Sequence, residues 1–498
     1  KISGSGAAAS FVVGGFPMQA IASPKLANFL LGCDGINERS LVLIQMKGGN
    51  DGLNMLVPIN QYDKYANNRP SIKLKDTALI NLDSTVANEK QLGIHPIMTE
   101  MKALYDEGKL AIMQGVGYEE PNQSHFKSTD LWLTGGDGTP ANFNLKTGWA
   151  GRYLEATYPD VHGEPIPVMP DPLGIQVGDP KPSLGFHTDS QHPAGINLSG
   201  QDPAGFFSLV SSVGGAPIVN PPASEYGAEL EYIMDIERST SKYAQRITDV
   251  FNAGSNSAIA YPADNSLAAQ LKTIARLIKG GSKTRIFFTQ IGGFDTHSGQ
   301  VDTQDTSIGE HSDLLMQLSQ AIKAFQDDLE AMGLAEKTMS VTFSEFGRCA
   351  VENGSFGTDH GQVAPMFVVG KGVAAGVYGD CNNLSDLTTD GQIKNRQFDY
   401  RQVFTTVLQD FLGANDSVLE ATYFDPFAVQ KIPFVGATVF VDPGCYIGSL
   451  TPIKDVFDQT RAMKIFPNPA YYQTEINFRS SNTFDGRVTI TDLQGRTM

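Results

Sequence analysis

Three short runs of apolar, β-branched residues share one design, and together they leave few folds open to this 498-residue chain. Ser40–Met46 (SLVLIQM), Arg285–Ile291 (RIFFTQI) and Met339–Phe343 (MSVTF) have the length and near-continuous hydrophobicity of strands buried on both faces of a parallel sheet. Each run is followed by a turn that carries a carboxylate: Asp51 after Gly48-Gly49-Asn50, Asp295 after Gly292-Gly293-Phe294, and Glu345 after Ser344. In an open α/β sheet, ligands bind at the carboxyl ends of the strands. Carboxylates gathered there repel one another unless a cation neutralises them, so the pattern points to a metal site. Asp359-His360 follows in the glycine-rich loop after Glu345, and Gly361 behind it allows close approach of the backbone to a ligand. Asp and His donors suit a divalent cation, whereas the bland reading of this pair is a turn aspartate beside a hydrogen-bonded histidine.

Helical spacing fills the gaps between the strands. A long helix is predicted over Ser224–Asn252, and a second one, capped by Asp264, carries Leu267, Leu271, Ile274 and Ile278 on one face. A third starts at His311 with a stripe from Leu314 to Leu329, and a fourth runs from an Asp399 cap to Leu412. Strand and helix alternating in this way describe an α/β fold, a mostly parallel sheet flanked by crossover helices. Lys109–Met113 reads as a further strand, and Asn122–Phe126 opens a helix that runs through Trp132. Ser124 at that helix start reads as an N-cap or as a nucleophile at the positive end of a helix dipole, with Ser128 or Thr129 as substitutes. Pro58–Gly93 is expected to be an excursion over the site, and residues 134–222 an insertion that shapes a pocket.

The formal charge of −17 argues against nucleic acid or an anionic membrane as partner. No apolar run is long enough for a transmembrane helix. Cys33, Cys349, Cys381 and Cys445 lack metal-ligand spacing; sequence leaves open which of them pair.

Taken in order, GGNDGLN (Gly48–Asn54), SHF (Ser124–Phe126), FDTH (Phe294–His297), FSEFGR (Phe343–Arg348) and GTDHG (Gly357–Gly361) resemble the family called domain of unknown function 1501. That family is grouped with the alkaline phosphatase, sulfatase and cofactor-independent phosphoglycerate mutase superfamily. The resemblance covers about Ser40 to Gly436 and implies an alkaline-phosphatase-like fold. It also implies one or two divalent metal ions (Zn, Mg, Mn or Ca) flanking a hydroxyl nucleophile that attacks a phosphate or sulfate ester. Ser124 is the residue that the resemblance favours as nucleophile. Two registers carry the ligands over. One matches Asp359-His360 to the superfamily's paired Asp-His. The other matches FSEFG to that strand end, giving one site of Asp295, His297 and His360 and a second of Asp51, Ser124 and Glu345. In the second register Phe346 stands where a histidine is expected, and the oxygen-rich second site suits Mg, Mn or Ca better than Zn. The activity implied is that of an exported metal-dependent hydrolase of phosphate or sulfate esters. The alternative is a non-catalytic cell-surface or extracellular assembly protein that keeps the fold.

The chain ends read differently from the middle. Residues 1–22 are small and apolar and look like the tail of a twin-arginine export signal, or else a packed N-terminal arm. Leu30-Leu31-Gly32-Cys33 resembles a lipidation box, but Pro24 and Lys25 interrupt the apolar run before it. Lys464–Met498, with its PNP turn and two-residue alternation, resembles the first half of the β-sandwich sorting domain of the type nine secretion system. The expected organisation is an export-signal remnant and arm over 1–39, the main domain over 40–436, a linker over 437–463, and a partial β-sandwich over 464–498. Such a chain would pass through the periplasm to the cell surface or the medium, with secretion machinery and an extracellular assembly as partners.

Overall fold

Ser40–Lys47 (β1) lies at the middle of a nine-stranded sheet in the computed structural model. The structure describes residues 8–13, 16–21, 38–179, 181, 183–190, 192–198, 221–445, 463–466 and 475–478. The other strands are Leu110–Gly117 (β2), Gly174–Val177 (β3), Gly195–Leu198 (β4), Ile286–Gly292 (β5), Thr338–Phe343 (β6), Ala364–Val369 (β7), Gly376–Tyr378 (β8) and Phe398–Asp399 (β9). Their order is β8-β2-β7-β6-β1-β5-β3-β4, with β9 also pairing β2. The strands β6, β1, β5, β3 and β4 run parallel, as do β8, β9 and β2; only β7 is antiparallel to its neighbours. The fold is therefore α/β with a mostly parallel central sheet, as expected.

Period-two alternation splits β1 between two cores. Val42, Ile44 and Met46 face one cluster, and Leu41 and Leu43 the other, all at 3 % exposure or less. The first core is roofed by Thr99–Asp106 (α1), Glu225–Ala253 (α4), Ser266–Lys279 (α5) and Glu310–Ala331 (α6). The second is roofed by His125–Thr134 (α2), Trp149–Thr157 (α3), Tyr400–Thr406 (α7) and Asp416–Ala421 (α8). Helix ends follow local chemistry. Asp399 forms a capping box with Gln402, and Ser224 accepts from Gly227 N. At α5 the cap is Asn265, which accepts from Ala268 N, and not Asp264, which sits at φ +58°.

Two expected stretches turn out more structured. Within 134–222, the four-residue strands β3 and β4 extend the main sheet beyond β5. Gly174 and Gly195 let them lie against the Phe186 ring, which a Cβ at either position would meet within 2.8 Å. Strands this short carry no alternation signal. Pro58–Gly93 contributes to a small sheet of Leu56–Pro58, Leu92–Ile94 and Ile80–Asn81, and delivers Arg69 to the interior.

The chain divides into two compact units, Lys1–Gly448 and Ser449–Met498. Val439 and Val441 are buried in the first unit, so its packing extends past Gly436 into the expected linker. Ala8–Val13 pairs antiparallel with Phe16–Ile21, and Met463–Phe466 with Glu475–Phe478. The rest of the expected signal tail, lipidation box and sorting module lies outside the described residues. Cys349 and Cys381 are free and buried, and Cys445 is disulfide-bonded. No described helix is long and apolar enough to cross a membrane.

Candidate metal centre

The ends of β1, β5 and β6 meet where the backbones pack too closely for side chains. Gly48, at φ +124°, lies where a Cβ would approach Asp295 N to 2.4 Å, and Gly357 lies equally close to the His297 carbonyl group. Into this edge α2 projects its first residue. His125 Nδ1 lies 2.9 Å from Glu345 Oε1, which also accepts from Gly48 N at 2.8 Å. Glu345 is fully buried, and its other oxygen, Oε2, has no hydrogen-bond partner.

Three histidines arrive with the same polarity. His125 Nδ1 faces the Glu345 carboxylate, His297 Nδ1 faces Asp359 Oδ1 at 3.0 Å, and His360 Nδ1 faces the Gln123 carbonyl at 2.9 Å. All three partners are acceptors, an arrangement that suits neutral rings protonated on Nδ1 with Nε2 as the free ligand atom. The three Nε2 atoms then converge on Asp295, at 3.3 Å from Oδ2 for His125 and at 3.2 Å from Oδ1 for both His297 and His360. His297 Nε2 and His360 Nε2 are only 2.9 Å apart. The contact from His125 Nε2 to Asp295 lacks the alignment of a hydrogen bond, and that nitrogen is buried without a partner. His125, Asp295 and His360 offer ligand atoms that all lie within 4.8 Å of one another, and His297 flanks them. His360 Nε2 lies within hydrogen-bond reach of both Asp295 Oδ1 and His297 Nε2, and a divalent cation would take the lone pairs of the neutral rings in place of protons there.

The surrounding charges fit that reading. Burial would raise the Asp295 carboxyl, but the Arg348 guanidinium, 2.6 Å away, outweighs it and holds the group below the usual carboxylate range. A hydrogen bond from Asn353 and contact with His297 likewise depress Asp359. The hydrogen bond to Glu345 raises His125, whereas burial lowers His360. Phe346 packs its ring 4.8 Å from His125 and 4.7 Å from His360, measured between centroids.

The residues expected from sequence divide accordingly. Asp295, His297, Glu345, Asp359 and His360 come together, with Glu345 and Asp359 behind the histidines. Asp51 does not join them. It is fully buried, with Oδ1 capping Leu53 N and Asn54 N, and Oδ2 taken by Arg69 and Gln300 at 2.6 Å each. Burial would raise this carboxyl, but Arg69 keeps it below its ordinary value. Both oxygens are committed to the protein, so Asp51 offers no free oxygen to the expected second site. Ser124 is the exposed N-cap of α2, and its hydroxyl makes no capping bond. Ser128 is sealed between Tyr118 OH and the Glu345 carbonyl, whereas Thr129 is half-buried and accepts from Gln45. His125 is the candidate ligand that sequence reasoning missed. The SHF motif contained it, but its neighbour Ser124 drew the chemistry, and only the approach of α2 to Glu345 shows where the imidazole goes.

Fold and site thus define a mixed α/β protein with a candidate His/Asp metal centre at the carboxyl edge of its sheet. Residues 216–416 match the family described as "Protein of unknown function (DUF1501)". Among solved structures the chain is similar to the lipoteichoic acid synthase LtaP from Listeria monocytogenes, at 10% identity and TM-score 0.28, covering 72% of this chain and 68% of that one. A mutant of the alkaline phosphatase PafA matches at 10% identity and TM-score 0.28 over 62% of this chain and 63% of its own, just under two thirds of its length. The alkaline phosphatase from the Antarctic bacterium TAB5 matches at 12% identity and TM-score 0.26, over 68% and 94%. No curated protein matches.

Proposed function

We propose that this chain is a metal-dependent hydrolase of phosphate or sulfate esters with a single-ion centre at His125, Asp295 and His360. One observation carries the reading: three imidazoles whose Nδ1 atoms each face an acceptor turn their Nε2 atoms onto one carboxylate. A donor set of this kind suits Zn or a similar borderline ion. When bound, the ion would supply Lewis-acid charge neutralisation at the ester oxygens. The chain's own residues do the rest. Glu345, Asp359 and the Gln123 carbonyl hold each ring in one tautomer and one orientation. Arg348 anchors Asp295 against swinging away. Ser124, uncommitted at the N-terminus of α2, presents a hydroxyl one residue from His125, where the helix dipole favours an alkoxide.

Metal content and turnover test this together. The purified chain should carry one ion, and loading with Zn, Mn, Mg or Ca should support cleavage of an aryl phosphate or aryl sulfate. A chain that binds an ion and turns over no ester across a broad panel would favour the non-catalytic assembly reading instead.

A further inference from the structure

Lys47 is the last residue of β1, and its side chain is exposed, with no hydrogen bond or ion pair among the described residues. Its backbone is built into the metal centre. The Lys47 carbonyl accepts from Phe294 N at 3.1 Å, and the next nitrogen, that of Gly48, donates to Glu345 Oε1. Strand alternation sets the direction of the side chain. Leu41 and Leu43 pack in the core that holds Leu131 and Trp132 of α2, and Gln45 Nε2 reaches Thr129 Oγ1 on the same helix at 3.4 Å. Lys47 therefore leaves the sheet on the α2 side.

Its height matches as well. Two strand residues beyond Gln45 rise by about 6.6 Å. Four helical residues from Thr129 back to His125 span about 6 Å. Lys47 and His125 thus stand at the same level, on facing elements. The other cation here, Arg348, bonds Gly48 O, Gly49 O, Phe294 O, Thr358 O and Asp295 and is buried away from any ligand. The centre also holds Asp295, Asp359 and Glu345, three carboxylates whose repulsion of an anionic ester an exposed cation helps a bound metal ion to offset.

We propose that Lys47 is the oxyanion-binding residue of this site, its ammonium meeting the non-bridging oxygens of a phosphate or sulfate group lodged beside His125. This rests on the hydrolase reading and assigns to it the recognition of the anionic half of the substrate. Lysine suits the task as a mobile point charge that adapts to a tetrahedral anion.

The test uses the full chain, with and without Zn²⁺, titrated calorimetrically with inorganic phosphate and separately with sulfate. Lys47→Gln should weaken anion binding to the Zn²⁺-loaded protein by ~10-fold, Lys47→Arg should retain most of it, and Zn²⁺ affinity should stay unchanged in both. The stronger response of the two anions tells which ester class the site takes. Equal anion affinity in wild type and Lys47→Gln overturns the proposal while leaving the metal reading standing. A wild type that binds no Zn²⁺ overturns the metal reading, and the Lys47 assignment is then decided by the same comparison in metal-free protein. Absence of anion binding in both states overturns it too.

Discussion

Oε1 of Glu345 lies 2.9 Å from Nδ1 of His125, and that contact joins the end of β6 to the start of α2. The same glutamate receives two more bonds from α2, at its carbonyl oxygen, from Ser128 Oγ at 2.5 Å and Trp132 Nε1 at 2.9 Å. His125, Ser128 and Trp132 are spaced i, i+3 and i+7, one face of a helix. Trp132 is in turn stacked between Phe343 and Tyr400, with centroids at 5.3 and 4.3 Å. The helix is thus registered on one residue, and the imidazole at its tip is placed by packing two turns away.

If Glu345 orients His125, then Glu345→Gln should reduce metal affinity by ~10–100-fold without changing stoichiometry at saturation. The amide can no longer offer a charged acceptor to Nδ1–H. Competition with a chromogenic chelator reads the affinity, and an unchanged value would show that His125 needs no such partner.

Asp51 should behave in the opposite way. Removing its partner by Arg69→Met leaves a buried carboxylate uncompensated and should cost about 3–5 kcal/mol in denaturant unfolding. The bound metal per folded chain should not change, because Asp51 has no free oxygen to offer. An additional ion bound by the folded variant would return Asp51 to the candidate ligands.

Ser124→Ala should lower ester turnover by at least ~10²-fold and leave metal content intact. Stability should move little, since the hydroxyl makes no capping bond. Unchanged turnover would exclude this hydroxyl and point to water as the nucleophile.

Acid should destabilise the fold well above the carboxylate range. Burial pushes His311 down to about 4, with Asp51 opposing and Arg69 and Arg348 reinforcing, and burial pushes His95 down to about 3. Between the unfolded value near 6.5 and those lowered values, the unfolded chain binds more protons than the folded one. Stability is therefore full above pH ~6.5 and falls as the pH drops, by about 3 kcal/mol for His311 alone on reaching pH 4. Urea midpoints measured from pH 7 to pH 4.5 check this; a flat profile would mean that these imidazoles are protonated in the native state.

What the sequence determined by itself is the layer plan and one edge of it. Continuous apolar runs such as Ser40–Met46 and Met339–Phe343 can be stable only when covered on both faces, and the helices between them carry their own stripes and caps. A polar turn at the end of such a strand has to emerge at the sheet's carboxyl edge, so Asp295, His297, Glu345, Asp359 and His360 were legible as neighbours. Ligation depends on where side chains point, and that is decided by contacts far apart in the chain. Asp51 and Asp295 follow equivalent strands, yet Arg69, carried in by the 58–93 excursion, claims the first and leaves the second facing three imidazoles. The strands β3 and β4 were invisible because a run of four residues is too short to show a period. His125 was invisible for a related reason: one residue of helix rotation separates a solvent-facing position from one turned toward Asp295, and that rotation is set by Trp132 and Ser128 docking on Glu345.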